Sequence, residues 1–184
     1  MNFVVGITGA SGLIYAERLL RFLSKTEHRA DVIVSAHARL VNEQECGMDF
    51  AAFGFPVYDD DSPAVPSLSG SQRYHGCAVV PCSMATLGRI ASGVADTAMA
   101  RTADVFLKER RPLVLVVRES PYSLIHIRNM EQVTLAGAVV LPASPAFYTR
   151  PATIEALVDT VVARTLDHLG VLHSLCPPWS PPQD

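Results

Sequence analysis

The chain alternates between continuous apolar runs and segments in which apolar residues recur every three or four positions. The apolar runs predict buried strands, and they are Asn2–Thr8, Ala30–Ser35, Cys77–Val80, Leu113–Val117 and Ala138–Leu141. A strand that is apolar at successive positions, rather than at every second one, is typical of a parallel sheet covered on both faces.

The segments between these runs have helical spacing, beginning with Leu13, Ala16, Leu20 and Leu23. Further helices are predicted at Ala36–Glu45, Met84–Ala91, Thr97–Arg110, from an N-cap at Ser123 to about Ala136 before Gly137, and at Ile154–Leu169 after Thr153. The stretch Gly47–Ser71 has three prolines and no such period, so it is predicted to be a long loop.

Alternating strands and helices predict an α/β fold, with residues 1–170 forming a single domain. Right-handed crossovers would make it a doubly wound parallel sheet, Rossmann- or flavodoxin-like. Residues 171–184 are rich in proline and are predicted to be an extended C-terminal tail. Ligands of such folds bind beyond the carboxyl ends of the strands, which is where functional residues are expected.

Composition narrows the possible partners. The 184 residues include 49% hydrophobic and only 18% charged ones, less than the usual quarter. We therefore expect part of the surface to be covered, most simply by copies of the same chain. A net charge of −3 gives no case for binding nucleic acid or an anionic membrane. Without a signal peptide or a membrane-spanning run, a cytoplasmic location is expected.

No metal site is predicted. The four cysteines form no C-x-x-C pair, and no histidine pair has the spacing of metal ligands. The run Asp59-Asp60-Asp61 is consecutive and lies in a proline-rich stretch, whereas metal-binding carboxylates for a diphosphate would lie a helical turn apart. It is predicted to be a solvated loop.

The first strand ends in Thr8-Gly9-Ala10-Ser11-Gly12, which leads directly into a helix. Glycines allow close approach of a phosphate, and we expect the helix N-terminus to supply free N–H groups. The spacing also fits some NAD(P)-binding loops, or a tight turn with no ligand. Ser35 stands where an NAD(P) site would have an acidic residue for the ribose, and no Tyr-x-x-x-Lys pair is present.

Polar side chains also follow the later strands. Ser83 and Thr86 open a helix after the third strand, where they would either cap it or bind the ring edge of a ligand. Arg118 and Glu119 follow the fourth strand, where they would either contact a ligand at the carboxyl edge of the sheet or form a structural ion pair. Three prolines stiffen the loop after the last strand, which presents Tyr148.

Several cations are candidates for binding an anion. Arg101 and Lys108 are seven residues apart and so share a helix face. Arg164 interrupts an apolar helical stretch, which makes it harder to explain as a solvated charge. Arg110 and Arg111 are expected to belong to a solvated face.

Four blocks resemble UbiX-type flavin prenyltransferases in order and spacing: TGASG, PCSMATL, RTADVFLKERRPLVLVVRESP and LPASPAFYTRP. The resemblance covers Asn2 to Gly170 and is weaker across residues 47–76. It implies transfer of a dimethylallyl group from dimethylallyl phosphate to N5 and C6 of reduced FMN, giving prenylated FMN without a metal. A decarboxylase that uses prenylated FMN is the implied partner.

The resemblance also implies site residues. FMN would be held by Gly9, Ala10, Ser11, Ser35, Ser83, Met84, Ala85, Thr86 and Arg118. The donor would be bound by Ser69, Gly70, Arg101, Lys108, Tyr148, Arg164 and Trp179. The residues implied in catalysis are Ser11, Glu45, Lys108 and Glu119. The Ser69-Gly70 loop would come from a neighbouring subunit, since the family commonly forms homo-dodecamers with shared sites.

Two other functions stay open at this point. Flavin-dependent cysteine decarboxylases have a similar fold but carry Pro-Ala-Ser-Ala-Asn-Thr after the third strand. Here Ala85 stands at the asparagine position, and no matching catalytic histidine is found. A non-catalytic FMN carrier would bind flavin without consuming a prenyl phosphate.

Overall fold

Six parallel strands form the sheet at the centre of the computed structural model, which describes residues 1–181. The strands are β1 (Asn2–Ile7), β2 (Arg29–Val34), β3 (Val57–Asp59), β4 (Gly76–Cys82), β5 (Leu113–Val117) and β6 (Val139–Pro142). Their order is β3-β2-β1-β4-β5-β6, with every pair parallel. This is the classical doubly wound order, so the predicted fold class is confirmed.

Six helices connect the strands: α1 (Leu13–Leu23), α2 (Ala36–Glu45), α3 (Met84–Ser92), α4 (Ala98–Lys108), α5 (Leu124–Leu135) and α6 (Ile154–His168). Five of them begin at a serine or threonine whose side chain accepts an N–H of the first turn. The caps predicted at Ser123 and Thr153 are among these. No helix within residues 1–181 is both long and apolar enough to cross a membrane.

The sheet is covered on both faces, as its continuous apolar strands predict. Phe3, Val5 and Ile7 of β1 pack in one core cluster with residues of α1 and α6, whereas Val4 packs in a second cluster with residues of α3 and α4. Burying each large apolar side chain stabilises the fold by roughly 1.5–3 kcal/mol. Because all six strands are parallel, a helix that follows a strand begins at the carboxyl edge of the sheet, next to the strand ends.

The stretch Gly47–Ser71 differs from the prediction of one long loop. It contains strand β3 and two short 3-10 turns, Phe50–Phe53 and Pro66–Leu68. β3 has three residues and pairs only with β2 at the sheet edge, so its sequence is too short to show a strand period. The part of the predicted tail that the structure describes, residues 171–181, contains no helix or strand, and its last three residues lie outside the described chain.

Candidate active site

A cavity of about 590 Å³ lies at the carboxyl edge of the sheet. Gly9 borders it after β1, Ser35 after β2, Asp59 at the end of β3 and Ser83 after β4. Helices α2, α3 and α4 all begin at this cavity, because residues of their first turns or caps line it. Free N–H groups at helix N-termini attract anions, so the cavity fits a ligand that carries a phosphate.

Gly9 and Gly12 are required by the backbone of the first loop. A Cβ added to Gly9 would lie 2.4 Å from the Cβ of His37, so only glycine fits between this loop and α2. Gly12 has a φ of 104°, a left-handed conformation that side chains disfavour, and it lies beside the ring of Tyr15. The loop can therefore approach a ligand closely.

The N-terminus of α1 is occupied by the carboxylate of Glu45. Its Oε2 accepts the backbone N–H of Gly12 at 2.9 Å and that of Leu13 at 3.0 Å. The expectation that this helix offers free N–H groups to a phosphate is therefore wrong for these two. The sequence does not show this contact, because Glu45 comes from the end of α2.

The Ser11 side chain lies close enough to the Glu45 carboxylate to stabilise its charge. Burial alone would raise the pKa of Glu45, but the Ser11 side chain and the bonds from Leu13 and Gly12, with the nearby charge of Arg118, lower it below its ordinary value. Glu45 is thus a carboxylate at neutral pH. A hydroxyl and a base lie together here, as a proton relay requires.

Thr8 ties the first loop to the loop after β4. Its buried hydroxyl donates to Pro81 O at 2.8 Å and accepts the Ser83 N–H at 2.8 Å. The Ser83 hydroxyl in turn accepts the Thr86 N–H at 3.3 Å and donates to the Thr86 hydroxyl at 3.1 Å. Ser83 is therefore a helix cap that also lines the cavity, so the two predicted alternatives are compatible.

Asp60 is not part of a solvated loop, so that prediction is wrong for this residue. Its carboxylate accepts the N–H of Met99 at 2.6 Å, so it caps α4 at the cavity wall. Burial raises the pKa of Asp60, while the Met99 bond and the nearby Thr97 side chain oppose the change. The contact arises because β3 carries the acidic run to the carboxyl edge.

Two arginines that the sequence did not single out also line the cavity. Arg39 pairs with Asp59 at 2.6 Å, and Arg89 pairs with Asp96 at 3.2 Å. Arg39 lies in the first turn of α2 and Arg89 in the last turn of α3. Helical spacing in the sequence alone does not indicate that either side chain lines the cavity.

Arg118 and Glu119 follow β5, but the described residues show no ion pair between them. Glu119 accepts the N–H of Ser120 at 2.9 Å. Arg118 lies near Glu45 and Tyr15. Burial raises the pKa of the Tyr15 phenol, and Arg118 opposes that change, so the phenol is neutral at neutral pH.

A second group of predicted residues lies at the other edge of the sheet. Lys108 ends α4, just before the first residue of β5, and its ammonium contacts Glu109. A Cβ on Gly70 would lie 2.5 Å from Glu109 Oε1 and 2.9 Å from Lys108 Nζ, so the loop of Ser69 packs on this ion pair. Arg101 does not share this position, because it lies two turns earlier, at the end of α4 that begins at the cavity, where it pairs with Asp104 at 2.6 Å. The five residues of β5 span about 17 Å, which separates Lys108 from the cavity edge within one chain.

A third group lies beside α6. The Tyr148 hydroxyl donates to Pro177 O at 3.4 Å and lies 3.9 Å from the Cys176 sulfur. Arg164 pairs with Asp167 at 2.6 Å. It also lies close enough to Tyr148 for its positive charge to oppose the rise in the pKa of that phenol. Trp179 follows in the tail, with 66% of its surface exposed. No hydrogen bond among residues 1–181 joins this group to Glu45 or Lys108.

Metal-ligating side chains do not gather in the described part of the chain. Within residues 1–181, no group of three or more histidine, cysteine, aspartate or glutamate side chains lies together in a way that could hold a metal ion. The cysteines at positions 46, 77, 82 and 176 are free thiols.

Comparison with protein families and curated proteins gives one consistent result. The flavoprotein family model matches residues 1–166. The flavin prenyltransferase UbiX of Methanocaldococcus jannaschii is 40% identical over 182 residues, which cover 97% of this chain and 98% of that protein.

Solved structures agree with this result. AnUbiX (PadA1) in complex with FMN and dimethylallyl pyrophosphate is 40% identical, with a TM-score of 0.95 over 99% of this chain and 98% of the other. A dodecameric FMN-dependent UbiX-like decarboxylase from Escherichia coli O157:H7 is 38% identical, with a TM-score of 0.94 over 98% of this chain and all of the other. The cysteine decarboxylase TvaF shares only the fold, at 17% identity and a TM-score of 0.64.

Proposed function

Because the chain belongs to the UbiX flavin prenyltransferase family, we propose that it transfers the dimethylallyl group of dimethylallyl phosphate to reduced FMN. Reduced FMN supplies two nucleophilic atoms, N5 and C6. The allylic C–O bond would break and phosphate would leave with the electron pair, as N5 bonds to the prenyl carbon and loses its proton. Protonation of the prenyl C=C bond would then let C6 form the second bond and lose its proton, which gives prenylated FMN. The observation that carries the proposal is the phosphate-compatible cavity at the strand ends, which Gly9 borders two residues before Ser11.

The residues around the cavity fit FMN. Gly9 borders the cavity without a side chain, and the hydroxyl-bearing residues Ser35, Ser83 and Thr86 line the same space. The backbone N–H groups at the start of α1 already bind Glu45. The phosphate of the flavin would therefore bind at the N-termini of α2 and α3. The set that would hold FMN is Gly9, Ala10, Ser11, Ser35, Ser83, Met84, Ala85, Thr86 and Arg118.

Ser11 and Glu45 would move protons during the reaction. Glu45 is ionised at neutral pH, so it begins as a proton acceptor, with the Ser11 hydroxyl as the bridge to the reacting atoms. Arg118 lies close enough to stabilise the carboxylate. Glu119 would be a second carboxylate of the site.

Cations would stabilise the departing phosphate. Arg101, Lys108 and Arg164, together with the Tyr148 phenol, would bind the phosphate oxygens where negative charge develops. Three cations neutralise a monophosphate dianion, so no metal is required by charge. The Trp179 indole would face the positive charge on the prenyl carbon.

The donor residues would reach the flavin of a neighbouring subunit. Within one chain, Lys108 and the Ser69-Gly70 loop lie at the edge of the sheet opposite the cavity, so neighbouring subunits would bring the two halves together. The apolar side chains of Leu124, Ile125 and Leu135 on α5 are more than 60% exposed, which favours burial against another copy. The assembly would be a homo-dodecamer, as in the Escherichia coli neighbour.

The product would serve a decarboxylase that depends on prenylated FMN, in the cytoplasm. The decisive test is to incubate the protein anaerobically with reduced FMN and dimethylallyl phosphate, then to measure the mass of the flavin. The proposal expects a gain of one five-carbon prenyl unit. A flavin that stays bound and unchanged would instead indicate a carrier. Loss of CO₂ from a peptidyl cysteine, with the prenyl phosphate unconsumed, would indicate a cysteine decarboxylase.

A further inference from the structure

Arg111 holds the Ser69–Gln72 loop, although the sequence predicted a solvated charge at this position. Its guanidinium donates from Nη1 to Gln72 O at 2.6 Å and from Nη2 to Gly70 O at 2.8 Å. Two carbonyls of one loop are thus fixed by one side chain located three residues after Lys108. The planar fork of arginine makes both bonds at once, which a lysine cannot do in the same geometry.

The loop itself is a tight turn that carries two hydroxyls. Gln72 N donates to Ser69 O at 3.2 Å, and the hydroxyls of Ser69 and Ser71 lie 2.8 Å apart. With its carbonyls drawn towards Arg111, the loop rests on the end of α4, where a Cβ on Gly70 would lie 2.5 Å from Glu109 Oε1 and 2.9 Å from Lys108 Nζ. The loop that carries the two hydroxyls therefore packs on the Lys108–Glu109 ion pair.

The charges around this turn have both signs. Lys108 contacts the Glu109 carboxylate, and those contacts lower the pKa of Glu109 below its ordinary value. Arg111 and Arg110 add two positive charges, although no hydrogen bond within residues 1–181 joins the Arg110 side chain to the loop. Arg111 thus differs from Arg110 by its contacts and not by its charge.

We propose that Arg111 is a positioning residue for the donor phosphate, which it serves by keeping the Ser69–Gln72 loop seated against Lys108. The proposal rests on the prenyl transfer proposed above. Arg111 touches neither substrate. It keeps the loop hydroxyls and the Lys108 ammonium in one anion-binding surface before the donor arrives, so that binding need not order the loop.

The test compares Arg111→Ala and Arg111→Lys with Arg110→Ala, which removes the same charge from the neighbouring position. With saturating reduced FMN, Arg111→Ala should raise the KM for dimethylallyl phosphate about tenfold, with kcat and FMN affinity within about twofold of the wild type. Arg111→Lys should restore only part of the loss, and Arg110→Ala should behave as the wild type. An equal KM change in Arg110→Ala would overturn the proposal, because charge alone would then explain it.

Hydrogen exchange gives a readout that does not depend on turnover. Without any ligand, the amides of residues 69–72 should exchange faster in Arg111→Ala than in the wild type and in Arg110→Ala. In the wild type, dimethylallyl phosphate alone should slow their exchange. Unchanged exchange in Arg111→Ala would overturn the proposal even if the enzyme is active. Faster exchange in a protein that shows no prenyl transfer would leave the loop contact supported and the proposed function refuted.

Discussion

The Oε2 atom of Glu45 accepts the backbone N–H of Gly12 at 2.9 Å, so a carboxylate from the end of α2 caps the start of α1. An anion already satisfies the helix terminus that the TGASG loop leads into. We therefore expect the phosphate of a ligand to bind at the N-termini of α2 and α3, where Ser35 and Ser83 line the cavity. Glu45 is left beside the Ser11 hydroxyl as a base.

Glu45→Gln should slow prenyl transfer by roughly a hundred- to ten-thousand-fold, because a positioned acid or base contributes that much. Glutamine keeps one oxygen for the Gly12 and Leu13 N–H groups, so FMN affinity should change little. Single-turnover kinetics with reduced FMN and dimethylallyl phosphate measures the rate. An unchanged rate would mean that Glu45 only caps α1, and that Glu119 or the released phosphate moves the proton.

The same substitution should alter stability in acid. The pKa of Glu45 is lower in the folded chain than in the unfolded one. Its contribution to the free energy of unfolding is therefore fully present above the unfolded pKa, and it is lost as the pH falls through the folded pKa. The unfolded pKa is about 4.3, so the wild type should lose more stability below about pH 4 than Glu45→Gln does. Thermal unfolding of both proteins between neutral and acidic pH gives the comparison. Parallel curves would contradict the lowered pKa.

Lys108→Ala should reduce prenyl transfer by about a hundredfold or more while FMN stays bound, since the lost contact stabilises the leaving phosphate. Arg110→Ala serves as the control, because it removes an adjacent cation that is exposed. The fluorescence of flavin released on denaturation measures how much FMN was bound, and the mass of the flavin product measures prenyl transfer. Loss of FMN with full turnover per bound flavin would place Lys108 at the flavin instead.

Thr8→Val should weaken both stability and FMN binding. The buried hydroxyl bonds to Pro81 and Ser83, and its removal leaves those backbone groups unpaired, at a cost of about 1–3 kcal/mol. Thr8→Ser keeps the hydroxyl and should lose less. Chemical denaturation and FMN titration measure the two effects. If serine loses more than valine does, the methyl group and not the hydroxyl matters at this position.

The strands and the helix caps were predictable because their signals are local. Val114, Leu115 and Val116 lie in an apolar run that can only be a covered strand, and Ser123 stands directly before its helix. The three residues of β3 carry no period, so the sequence did not show that strand or the position of Asp60.

Contacts between distant segments were not predictable from local patterns. Glu45 and Gly12 are 33 positions apart, and Arg111 reaches a loop about 40 positions before it. The resemblance of the motifs pointed to the site residues, but it did not show that Gly70 and Lys108 lie on the same surface of one chain. Variants altered at these two positions therefore damage the same half of a site, and they should not complement each other.

We propose that each prenyl-transfer site combines the flavin half of one subunit, which includes Ser11 and Glu45, with the donor half of another, which includes Gly70 and Lys108. Co-expression of Glu45→Gln and Lys108→Ala chains with different affinity tags, followed by purification on both tags, gives mixed oligomers. Random assembly of equal amounts leaves about a quarter of the interfaces with two intact halves, so about a quarter of wild-type prenylated FMN is expected by mass spectrometry. Mixtures of Gly70→Val with Lys108→Ala should stay inactive. Mixed Glu45→Gln and Lys108→Ala oligomers that form no prenylated FMN would contradict the claim, and would show that one chain builds the whole site.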